Sequence, residues 1–227
     1  MDIVHHYTEK GSGDVLLLLH GNGEDGTYFK NQIEYFSKEF HVIAVDTRGH
    51  GKTPRGDKPF TIRQFAEDLR VFMDRLVIEK ANILGFSDGG NIAMIFAMKY
   101  PERVNRLIIN GGNLCGNGVK ASVQIPIILG YKIASLFSKR SPEALKNAEL
   151  LGLMVNDPNI APDELAQIKA DTLVIAGKRD MIKEKHTKLI YSNIPGAKLK
   201  IIDGNHFIAS NNPDDFNLAA DGFLHGE

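Results

Sequence analysis

The chain has 227 residues, 27 of them basic and 28 acidic, with a formal net charge of −1. That balance gives no electrostatic reason to bind nucleic acid or an anionic membrane, and the single cysteine, Cys115, excludes an internal disulfide. A chain this long buries roughly 70% of its unfolded surface without a metal or disulfide staple, and Met1-Asp2-Ile3-Val4 begins no basic-then-apolar signal, so a soluble cytoplasmic protein is expected.

Residues 3–8 read as an edge strand, followed by a Gly11-Ser12-Gly13 turn. Residues 14–20 are almost continuously apolar, the mark of a strand buried on both faces of a parallel sheet. His20-Gly21-Asn22-Gly23 follows, a glycine loop able to turn a backbone N–H towards a ligand. A helix is predicted over 27–37, a buried strand over 40–46 and a loop over 47–54. Thr61 reads as an N-cap, with Gln64 completing a capping box. Ile62, Phe65, Leu69, Phe72, Met73 and Leu76 then recur at helical spacing, giving a helix over 61–77. Next come a short buried strand at 81–84, Gly85-Phe86-Ser87-Asp88-Gly89-Gly90, and a buried helix over 91–98 that stops at Tyr100-Pro101. Residues 106–110 form another strand.

The alternation breaks between Asn113 and about Lys169. Residues 119–137 are mixed, with Pro126 interrupting them. Ser141-Pro142-Glu143 starts a helix carrying Leu145, Ala148, Leu151 and Met154. This segment reads as a helical insertion. A strand at 172–177 ends in Lys178-Arg179-Asp180, a helix covers 184–193, and an edge strand covers 197–202. Asp203-Gly204-Asn205-His206-Phe207 and a closing helix over 213–224 complete the chain. Strands alternating with helices imply an α/β fold with a mostly parallel sheet.

The order strand, G-x-S-x-G, helix is what a strained strand-to-helix turn carrying an exposed serine needs. Ser87 reads either as that hydroxyl or as a plain helix cap. The backbone N–H of Asp88 lies at the helix N-terminus, where developing negative charge is stabilised. Ser87, Asp180 and His206 each follow the C-terminal end of a strand, and in a parallel sheet those ends share one edge. A serine needs a histidine to take its proton, and the histidine needs a carboxylate to hold its tautomer. Asp171 precedes its strand and so belongs at the opposite edge, and Asp203 is close enough to His206 to shape only the turn. Of the eight histidines, His5, His6, His41, His186 and His225 read as surface or packing residues. His50 reads as structural, and His20 as a brace for the glycine loop.

With these pieces in order, the chain resembles the α/β-hydrolase superfamily over nearly its whole length. The matching stretches are Leu18-Leu19-His20-Gly21-Asn22-Gly23, Asp46-Thr47-Arg48-Gly49-His50-Gly51, the Ser87 hexapeptide, Ala176-Gly177-Lys178-Arg179-Asp180 and Gly204-Asn205-His206-Phe207. The hexapeptide and Lys99-Tyr100-Pro101 are similar to the biphenyl-hydrolase-like (valacyclovir hydrolase) branch. The resemblance implies Ser87 as nucleophile, His206 as base, Asp180 as acid, and an oxyanion hole from the N–H groups of Asn22 and Asp88. It implies a core of 1–113 and 170–227, with 114–169 as a helical cap over the pocket; the cap is short, a departure from the family pattern that leads to the expectation of an open substrate pocket. Ala170-Asp171 stands where relatives commonly carry proline.

Ile125, Leu129, Phe137 and Phe207 are candidate pocket residues. For most of the apolar residues from Ile125 to Phe137, packing of the cap onto the core is the favoured expectation. Asp88 is a further candidate, either as an acid in the first helical turn or as a carboxylate for a cationic substrate group. The expected activity is cofactor-free cleavage of a small carboxylic ester. Hydrolysis of a carbon–carbon bond in a diketone-like substrate, or ligand binding with little turnover, are the alternatives. The partner expected is a small-molecule substrate, with no metal, nucleic acid or membrane, and the sequence leaves the oligomeric state open.

Overall fold

The computed structural model describes residues 2–226. Among these described residues the strands are β1 (Tyr7–Lys10), β2 (Val15–Leu19), β3 (His41–Val45), β4 (Ala81–Phe86), β5 (Val104–Asn110), β6 (Asp171–Gly177) and β7 (Lys198–Ile202). They form one sheet in the order β1-β3-β2-β4-β5-β6-β7. β1 runs antiparallel to β3, and the other pairs are parallel. The helices are α1 (Lys30–Phe36), α2 (Ile62–Arg75), α3 (Asp88–Lys99), α4 (Ala121–Phe137), α5 (Pro142–Asn156), α6 (Glu184–Asn193), α7 (Ile208–Asn211) and α8 (Pro213–Leu224).

The apolar strands divide their side chains between two layers because successive residues point to opposite faces. Leu17, Leu19, Ile43, Val45, Ile83, Ile109 and Val174 pack against Phe65 and Leu69 of α2, Phe96 of α3 and Ile190 of α6. Leu16, Leu18, Val42, Ala44, Leu84, Ile108 and Ile175 pack against Phe36 of α1 and Phe216 and Phe223 of α8. With both faces covered, the central strands β2, β3, β4 and β6 carry no polar alternation, which is why they read as apolar runs, whereas the edge strand β7 alternates Lys with apolar residues.

Several boundaries differ from the sequence reading. The edge strand spans 7–10 rather than 3–8. Residues before it are held across the loop after β3 instead: Ile3 is buried, and the His6 N–H donates to Thr53 Oγ1 at 2.8 Å. The helix expected over 27–37 opens with a tight turn, Gly26–Phe29, before α1. Thr61 does cap α2 by accepting the Gln64 N–H at 3.2 Å, but only half of a capping box forms. The Gln64 side chain turns to Asp68 Oδ1 at 2.9 Å. α2 ends at Arg75, and Val77, with φ +56°, leaves the helical path. Pro126 does not interrupt α4, which runs through it. The N–H that proline lacks would have bonded Ser122 in the first turn, and Ser122 is exposed, so its carbonyl is open to solvent and the missing bond costs little.

Arg48 is fully buried and ties three segments together. Its Nε and Nη2 donate to the two Asp68 oxygens at 2.7 and 2.8 Å. Its Nη1 donates to Asp2 Oδ2 at 2.7 Å and to the Arg55 carbonyl at 2.9 Å. A buried guanidinium survives only when its donors are satisfied. Asp68→Asn leaves Arg48 short of charge compensation and should cost about 3 kcal/mol in urea denaturation. Val77→Gly, by contrast, removes a β-branched residue from positive φ and should stabilise by roughly 1 kcal/mol, raising the melting temperature by about 2–4 °C.

Candidate active site

β4 ends at Phe86 and α3 begins at Asp88, so Ser87 alone makes the turn. Its φ of +52° and ψ of −117° are strained for a residue with a Cβ, at about 1–3 kcal/mol. The strain is held by neighbours. The Ser87 N–H donates to Asn110 O on β5 at 2.8 Å, and the Asn91 N–H donates to Ser87 O at 3.1 Å. The turn closes because glycine lets α3 meet the sheet directly. A Cβ at Gly89 would overlap the Leu19 and His20 carbonyls, and one at Gly85 would overlap the Gly89 backbone. The Ser87 side chain makes no capping hydrogen bond; its Oγ lies 3.1 Å from His206 Nε2.

His206 sits between β7 and α7, with Nδ1 2.7 Å from Asp180 Oδ1. Both residues are buried. A carboxylate only accepts, so Nδ1 carries the hydrogen and the Nε2 lone pair faces the Ser87 hydroxyl. Asp180 Oδ1 also accepts the Ile182 N–H at 2.8 Å. Gly111, at φ +63°, lies under the imidazole, where a Cβ would come within 2.7 Å of Cε1. The Phe86 and Phe207 rings flank the histidine at 4.8 and 5.4 Å. The competing acids lie elsewhere. Asp171 begins β6 opposite Arg106, and Asp203 pairs with Arg179 at the surface at 2.8 Å.

The loop after β2 is braced from below. The Thr47 N–H donates to His20 Nε2 at 3.0 Å, so His20 Nδ1 must be the donor to Gly21 O at 2.7 Å. Burial holds His20 below the ordinary histidine range. Burial, with His20 nearby, pushes His50 down to about 4. Glu24 closes the same loop by accepting the Gly21 N–H at 3.2 Å. Burial pushes Glu24 up to about 7, against the pull of that hydrogen bond and of His206. The backbone N–H groups of Asn22 and Asp88 have no partner among the described residues.

The Asp88 carboxyl is buried rather than displayed. Asn22 Nδ2 donates to Asp88 Oδ2 at 2.9 Å and to Leu150 O on α5 at 2.8 Å. Asn91 Nδ2 donates to Asp88 Oδ1 at 3.2 Å and to Asn113 Oδ1 at 3.1 Å. Arg55 reaches Glu149 on α5 at 2.5 Å. These side-chain roles of Asn22, Glu24, Asn91 and Asn113 are absent from the sequence reading. Asn91 carried a usable signal, since an amide opening a buried apolar helix must find partners; which partners it finds depends on distant loops.

Phe207 lies against the histidine and is half-exposed. Ile125, Leu129 and Phe137, with Ile133 and Leu136, are each at least 50% exposed on α4. The expectation that they pack onto the core fails, because α4 packs on α5 through its opposite face. Among the described residues no group of three or more His, Cys, Asp or Glu side chains could hold a metal ion.

Burial pushes the Asp88 carboxyl up from 3.8 to about 6, opposed by its Asn22 and Asn91 hydrogen bonds. Asp88 therefore binds its proton more tightly folded than unfolded. Its contribution to stability is full below about pH 4 and is lost as pH rises to about 6. Asp88→Asn should remove that component, changing the wild-type-minus-variant unfolding free energy by up to about 3 kcal/mol across the window. Urea titrations at a series of pH values measure it, and parallel curves would contradict it.

Residues 14–129 match the family described as the alpha/beta hydrolase fold. Human serine hydrolase BPHL is 27% identical over 243 residues, covering 96% of this chain and 82% of the human protein. The 2-hydroxy-6-oxononadienedioate/2-hydroxy-6-oxononatrienedioate hydrolase of Escherichia coli K12 is 29% identical over 259 residues, covering 96% of this chain and 90% of its own. The structure of Est816, an N-acyl homoserine lactone degrading enzyme, superposes with a TM-score of 0.77 at 29% identity over 97% of both chains. A match over half of the sequence, joined to the seven-stranded, mostly parallel sheet and its flanking helices, leads to one conclusion: this chain belongs to the alpha/beta hydrolase family.

Proposed function

We propose that this protein is a serine hydrolase that cleaves a small neutral or cationic carboxylic ester through an acyl-enzyme. The observation that carries the reading is the line Ser87 Oγ, His206 Nε2, His206 Nδ1, Asp180 Oδ1, spaced at 3.1 and 2.7 Å. His206 takes the Ser87 proton as Oγ attacks the ester carbonyl, and the Asn22 and Asp88 N–H groups receive the oxyanion. His206 then gives that proton to the departing alkoxide. Water attacks the acyl-enzyme by the reverse proton route, releasing the acid and restoring Ser87. Asp180 holds the imidazole in its Nδ1–H tautomer and stabilises the imidazolium. In this reading α4 and α5 form a cap, docked through Leu150 and Glu149.

The charge near the nucleophile favours an ester over the runner-up carbon–carbon substrate. The E. coli relative's named substrates are dicarboxylates. Here the titratable groups that sense His206 include the half-buried acid Glu24 and the buried acid Asp88. Once these carboxyls ionise, above about pH 6 for Asp88 and about pH 7 for Glu24, an anionic substrate would meet like charge in a low-dielectric site. A cationic amine near Asp88 would be favoured instead, although its carboxyl already accepts two amide hydrogen bonds.

Purified protein should turn over short-chain p-nitrophenyl esters and amino-acid esters, and should leave a dicarboxylate ring-fission diketone uncleaved. Ser87→Ala should lower kcat by roughly 10⁴-fold or more with little change in KM. A fluorophosphonate should label the wild type at Ser87. Absent turnover and labelling, with ester binding retained in Ser87→Ala, would establish a binding protein instead. Rapid cleavage of the diketone alone would establish the carbon–carbon reading.

A further inference from the structure

Half of the large apolar side chains that stand exposed among the described residues, six of twelve, lie on one helical hairpin: Ile125, Leu129, Ile133, Leu136 and Phe137 of α4 and Leu145 of α5. The α4 residues fall within about 120° of helical arc, on the face turned away from α5. Contiguous exposed apolar surface of this kind marks a contact surface.

Charge identifies the occupant. The chain has no acidic residue between Arg106 and Glu143, while Lys120, Lys132, Lys139 and Arg140 lie in that interval. All four cations are exposed, and among the described residues none has an ion-pair partner. Elsewhere some cations are matched, as in Lys10–Glu34, Arg70–Asp74, Arg103–Asp74 and Lys188–Glu184, while others such as Lys30, Lys80 and Lys169 have no ion-pair partner among the described residues; what sets this segment apart is that it holds no acid at all. The near-zero net charge is thus an average over a segregated surface. A two-fold contact between copies would set these cations against themselves. An apolar stripe flanked by unpaired lysine and arginine fits an interface that is apolar within and anionic at its rim. No helix among the described residues is long and apolar enough to cross a membrane, so α4 would lie on such a surface.

We propose that the α4–α5 hairpin docks this protein on an anionic lipid surface, with Leu136 and its apolar neighbours entering the headgroup boundary and Lys132, Lys139 and Arg140 contacting lipid phosphates. This departs from the composition-based expectation of no membrane partner, and it does not depend on the chemistry at Ser87.

The test is sedimentation of the full chain with phosphatidylcholine vesicles, with and without about 30% phosphatidylglycerol. Wild type should pellet with the anionic vesicles at low salt, stay in solution with the neutral ones, and be released by high salt. Each cation contributes roughly fivefold, so Lys132→Glu/Lys139→Glu/Arg140→Glu should weaken binding by more than about 100-fold while leaving turnover of a soluble ester unchanged. Leu136→Ser, checked for folding by its melting temperature, should weaken binding to anionic vesicles without changing the mass measured by light scattering. No pelleting of wild type at low salt overturns the proposal. So does a dimer that Leu136→Ser converts to monomer, which makes the face a self-association surface. A triple variant that binds vesicles normally but shows a raised KM also overturns it and assigns the face to substrate.

Discussion

The end of β2 and the start of α3 touch backbone to backbone, and the position of Ser87 depends on that contact. With no side chain at Gly85 or Gly89, the helix reaches the Leu19 and His20 carbonyls. The chain must then reverse within one residue, and Ser87 takes the positive φ that results. The strain is local, while its support is spread over β5, through Asn110, and over α3, through Asn91. A looser turn would relax Ser87 and swing its hydroxyl away from His206.

Around this turn the protein buries polar groups and satisfies them with one another. His20 and Thr47 lock the glycine loop after β2 to the loop after β3. Arg48 and Asp68 lock the second loop to α2. Asn22 and Asp88 join the first loop to α3 and to α5. Each network uses groups that would be costly alone in the interior, so the loops are held by what they would lose on moving. The same burial sets the electrostatics: it depresses the histidines that only brace and raises the carboxyls of Glu24 and Asp88.

Charge is distributed by region. Acids gather beside the serine and histidine, and unpaired cations lie on α4 at Lys132 and at its two ends, at Lys120, Lys139 and Arg140. Neither feature is visible in a net charge of −1. The hairpin bearing the cations is attached to the body through Leu150 and Glu149 of α5, which leaves the outer face of α4 uncovered.

The sequence by itself determined the sheet, because strands buried on both faces must be apolar throughout and leave runs such as Val15–Leu19 that no other element explains. It determined the turn at Ser87, whose glycine spacing is a local steric requirement, and it singled out Asp180 and His206 by their places after strands. It misjudged matters settled by side chains from elsewhere: where β1 begins, whether Pro126 breaks α4, where the Gln64 amide points, and whether the α4 stripe is covered. The tertiary structure alone decided that Asn22 bridges Asp88 to Leu150 and that Glu24 closes its loop. A hydrogen bond between residues 66 or 128 positions apart has no local signature, since its partners become neighbours only after the strands between them have taken their order in the sheet.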